Sequence, residues 1–127
     1  MTTNTVAFSV DDVEILYSIP LPGGDIATIV RAFTFLNRSA PPPFSLIKDC
    51  FTKALQSGIM VENDGHFQIV PEWYKRIHGY DASEGNEIES MLAFQDEFVG
   101  EELSVVAALQ ASFTEKAYSA ILQGMSE

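Results

Sequence analysis

The chain has 127 residues, 46% of them hydrophobic, with 18 acidic against 7 basic side chains and a formal net charge of −11. That is enough apolar chain to bury a core, which excludes a disordered polymer and predicts one domain, or a small domain with an extension. No apolar run approaches the roughly 20 residues of a membrane helix, Met1 to Ser9 lacks the basic start and apolar middle of a signal peptide, and one cysteine excludes an internal disulfide, so a reducing cytoplasm is the expected location.

In chain order, Asp12, Val13, Leu16, Tyr17 and Ile19 predict a short first helix stopped by Pro20. Gly23-Gly24-Asp25 opens a second, with Asp25 as N-cap and Ile26, Ile29, Val30, Phe33 and Leu36 along one stripe. Asn37-Arg38-Ser39-Ala40-Pro41-Pro42-Pro43 follows as a long, stiff connection, because consecutive prolines favour extended backbone. A third helix is predicted from Ser45, its N-cap, to a stop at Gly58. Ile47, Cys50, Phe51, Ala54 and Leu55 face inward there, and Lys48, Asp49, Thr52, Lys53 and Gln56 face outward.

Ile59-Met60-Val61-Glu62, Asn63-Asp64-Gly65 and His66-Phe67-Gln68-Ile69-Val70 read as a hairpin around Asp-Gly. A loop of Asn63, Asp64 and Gly65 puts Ile59, Val61, Phe67 and Ile69 on one face, and Met60, Glu62, His66 and Gln68 on the other. The clean alternation favours that register, with Gly65 left-handed in a G1 bulge, over a two-residue Asp64-Gly65 turn. Pro71 then suits the first position of a fourth helix, with Glu72 near its positive end and Gly79 after His78 to stop it.

Over roughly residues 10–79 the chain resembles the winged helix-turn-helix superfamily. The resemblance rests on Ala54-Leu55-Gln56-Ser57-Gly58-Ile59-Met60-Val61-Glu62 and on Asn63-Asp64-Gly65-His66-Phe67-Gln68-Ile69-Val70-Pro71-Glu72, which look like the end of a recognition helix, the glycine and apolar pair entering the wing, and the wing. It implies an α+β, mostly α architecture: a winged-helix-like domain of three helices plus a two-stranded hairpin, with residues 80–127 as an acidic, helical extension that packs on it or forms a dimer interface. The proline-rich connection departs from the family's tight turn and displaces the third helix from its DNA-reading pose.

In that extension, Ile88, Met91, Leu92, Gln95, Phe98 and Val99 form a helical stripe after Ser83, and Gly100 is the stop. Leu103 to Leu109 is ambiguous, because Ser104-Val105-Val106 tolerates either helix or strand, and it is read as helix. Ser112-Phe113-Thr114-Glu115 has capping-box spacing ahead of Ala117, Tyr118, Ile121 and Leu122, with Gly124 past the end. Charge divides the chain at the same place. Residues 1–80 hold eight acids against six bases, a net of −2, whereas residues 81–127 hold ten acids against Lys116, a net of −9.

These residues favour a non-enzymatic, dimeric or partner-binding interaction protein, with no catalytic, cofactor or metal site. Cys50 turns inward, His66 and His78 belong to no metal spacing, Asp11-Asp12 and Glu101-Glu102 look like caps or solvated faces, and Gly23-Gly24 lacks the lysine or third glycine of a phosphate loop. Phe35, Trp73, Tyr74 and Phe94 are the interface candidates, as aromatic anchors in an acidic rim, with satellite core as their other reading. A DNA-binding regulator is the first alternative, contacting DNA through Arg31, Arg38, Lys48, Thr52, Lys53 and Gln56. Charge disfavours it: Asp49 interrupts that face and the wing tip carries Glu62 and Asp64, where phosphate binding asks for about 6 to 10 cationic contacts. An acidic inhibitor or immunity-type protein covering a basic partner is the second alternative.

Overall fold

A computed structural model describes residues 5–20, 22–37, 40–78, 87–106, 111 and 113–126. The elements run β1 (Thr5–Val6), α1 (Val10–Tyr17), α2 (Ile26–Asn37), α3 (Phe44–Ser57), β2 (Met60–Asn63), β3 (His66–Ile69), α4 (Pro71–His78), α5 (Glu87–Phe98), β4 (Leu103–Ser104) and α6 (Glu115–Ser126). They make an α+β fold of helices with two small antiparallel sheets, β1 on β4 and β2 on β3.

α3 is the axis of the molecule. Its Ile47, Cys50, Phe51, Ala54 and Leu55 are buried, and α1 and β2 pack beside it. Pro43, extended at φ −61° and ψ 152°, holds the N-cap position without a side-chain bond. Ser45 therefore lies inside the first turn, exposed, and is not the cap: the proline run carries extended backbone one residue further than the Ser45 reading allows, and Phe44 joins a ring cluster with Phe113 and Tyr118. Gly58 ends the helix in the left-handed region, as expected. In α2, Asp25 Oδ1 accepts the Thr28 N–H at 2.8 Å, so Asp25 is the cap.

The hairpin differs from the expected register. Met60 pairs with Ile69, Val61 with Gln68, Glu62 with Phe67 and Asn63 with His66, leaving Asp64-Gly65 as a two-residue turn. Both turn residues have positive φ, 52° and 81°, which is the type I′ signature. Met60, Phe67 and Ile69 consequently face the core, Glu62 is half-buried on that side, and Val61, 50% exposed, shares the other side with half-buried Gln68. Three backbone bonds fix this choice over side-chain alternation. The Val70 N–H donates to Ile59 O at 2.9 Å, and Phe67 exchanges backbone bonds with Gly24 at 2.8 and 2.9 Å, so β3 has a partner on both edges.

The C-terminal third also departs in detail. Leu103 and Ser104 are strand rather than helix, because β4 pairs with β1, and Val105 and Val106 belong to no helix; residues 107–109 lie outside the described residues. In α5 the inward pair is Phe94 and Phe98, one turn apart, while Leu92 and Val99 are exposed. α6 is capped by Thr114, whose Oγ1 accepts the Ala117 N–H at 3.2 Å, and it runs through Gly124; Ser112 lies outside the described residues. Gly79 and Ser83 lie outside the described residues. Phe94, Phe98, Phe113 and Tyr118 belong to the same buried cluster as Leu16, Phe51 and Phe67, so the extension packs onto the rest of the chain.

Candidate interaction surface around the third helix

The outward side of α3 is where the sequence places its polar reading residues, and each described one has a partner within the chain. Lys48 Nζ donates to the Phe113 carbonyl at 2.9 Å and lies over the Phe44 and Phe113 rings, at 5.6 and 5.7 Å from their centroids. Thr52 Oγ1 accepts the Ala111 N–H at 3.2 Å, and the Gln56 carbonyl accepts the Val106 N–H at 2.8 Å. Along α3 only Ser45 and Asp49 are exposed. Arg31 is exposed on α2, and Arg38 lies outside the described residues.

Lys53 is held from the opposite flank. Its ammonium donates to Asp12 Oδ2 at 2.5 Å and to the Ala7 carbonyl at 2.9 Å, sits 5.1 Å from the Phe8 ring centroid, and lies 3.4 Å from Asp49. Asp12 is 1% exposed and closes a capping box at α1 in which its Oδ2 accepts the Ser9 N–H at 2.9 Å. Burial alone would depress the Lys53 pKa. The Asp12 hydrogen bond and charge, with Asp49 adding to them, outweigh that effect and hold it above the ordinary lysine value.

The Cys50 thiol is fully buried and donates weakly to the Asp12 backbone carbonyl at 3.6 Å; burial first, then the Asp12 charge, push its pKa well up, away from the thiolate a nucleophile needs. His66 is exposed, and its Nε2 is 2.8 Å from the Pro22 carbonyl. Among the described residues no three His, Cys, Asp or Glu side chains gather in a metal-like group, and no helix is long and apolar enough to cross a membrane.

The four aromatic candidates separate. Phe35 is 80% exposed on α2. Trp73 is half-buried, 5.6 Å edge-on from Phe98 and 4.7 Å from the Arg76 guanidinium, which in turn bonds Glu101 at 3.0 and 3.2 Å. Tyr74 is half-buried. Phe94 is fully buried and stacks on Phe98 at 4.8 Å, so it is core and not an interface residue: α5 turns it inward where the Leu92 stripe was expected.

The residue that sequence reasoning undervalued is Asp12. Its signal was present, since Ser9 lies three positions before it and it falls within the apolar stripe of the first helix. Phe113 was passed over as well, being a single aromatic between a cap and a short helix. No family model, no curated protein and no solved structure matches this chain.

Proposed function

We propose that the protein is a non-enzymatic interaction module built on a winged-helix-like frame. Support for the frame comes from the order α1, a bridge at Gly24, α2, α3 and then the β2–β3 hairpin, with Gly24 and β2 on either side of β3. The observation that carries the function is the state of α3. Lys48 is engaged by Phe113, Thr52 by Ala111, the Gln56 backbone carbonyl by Val106 and Lys53 by Asp12, so the helix that would enter a DNA groove is partly covered by its own chain. With a net charge of −11 the molecule also repels a polyanion at long range.

A labelled mixed-sequence DNA duplex titrated with the pure protein, at low and at physiological salt, tests the reading by fluorescence anisotropy. No change at micromolar protein is expected. Binding that weakens steeply with salt and is lost in a Lys48→Glu, Lys53→Glu variant would replace this reading with a transcriptional regulator.

A further inference from the structure

We draw no further inference here: the strongest candidate, the outward side of α5 where Leu92, Asp96 and Val99 lie exposed, has its neighbouring acids Glu97 and Glu101 already paired with Arg76, and nothing in the structure shows what covers it.

Discussion

Lys53 Nζ sits 2.5 Å from Asp12 Oδ2, and through that pair the N-terminal turn of α1 is fastened to the middle of α3. Asp12 Oδ2 gathers three donors, the Ser9 N–H, the Ser9 hydroxyl and the ammonium, in a position almost closed to water. One contact therefore caps a helix, neutralises a buried charge and occupies a cation that a DNA-binding surface would need free.

The two partners should not be equivalent. Lys53→Met removes the cation and leaves a carboxylate that is 1% exposed without a counter-charge, a loss of about 3 to 5 kcal/mol. Asp12→Ala costs less, because Lys53 keeps 17% exposure and can turn to Asp49, itself 67% exposed; what is lost is chiefly the cap, about 1 kcal/mol. Urea unfolding of both variants decides this. Equal losses, or a larger loss in Asp12→Ala, would contradict the asymmetry.

Stability should fall on the alkaline side. Burial pushes the Tyr118 hydroxyl up to about 12, whereas an unfolded tyrosine ionises near 10. Lys53 is also raised above an ordinary lysine. In both cases the folded state keeps a proton that the unfolded state gives up first. Their contribution is complete below about pH 10 and is lost as pH rises through the folded values. Denaturation midpoints followed from neutral to alkaline pH should decline there, less steeply in Tyr118→Phe. That variant should also lose about 1 kcal/mol at neutral pH, through the unpaired Pro42 carbonyl. A midpoint indifferent to alkali would refute the assignment.

Glu14 works the other way at neutral pH. Burial first, and then the neighbouring Asp11 charge, raise its pKa, so the fold prefers the protonated form. Its contribution is complete below the unfolded value of about 4.3 and is lost as pH rises through the folded one. Glu14→Gln should therefore melt slightly higher than wild type at neutral pH, with the gain disappearing in mild acid. A lower melting temperature at neutral pH would show instead that the charge is useful.

What could be read in advance was local. The Asp25 cap, the Gly58 stop and Pro71 at the head of α4 depend on backbone chemistry within a few residues, and each is where the sequence puts it. The losses came from partners distant in sequence. Leu103 and Ser104 are strand only because Val6 and Thr5 lie beside them, and Val61 is exposed only because Gly24 and Ile59 fix the edges of β3. The outer face of α3 looked free for the same reason. Lys48 and Thr52 are ordinary solvated residues on an isolated helix, and nothing near them announces Phe113 or Ala111, roughly sixty residues on.

The hairpin gives the cleanest test of how the local and distant terms compete. A type I′ turn needs positive φ at both central residues, and Asp64 and Gly65 supply 52° and 81°. Asparagine tolerates that conformation as well as aspartate does, so Asp64→Asn should be close to neutral. Gly65→Val places a β-branched residue where a glycine is needed and should cost about 1 to 2 kcal/mol, although no atom lies within 4 Å to clash with the new Cβ. Because Phe67 is locked to Gly24 and the strands cannot slip without turning Phe67 and Ile69 out of the core, the variant should unfold at lower urea without changing register. Amide exchange at Val70, whose N–H crosses to the Ile59 carbonyl, reads the pairing of the two strands: protection retained in Gly65→Val supports a strained but unshifted hairpin, and protection lost under native conditions while the Phe67 amide stays protected on Gly24 means that the turn, and not the Gly24 bridge, holds the pairing.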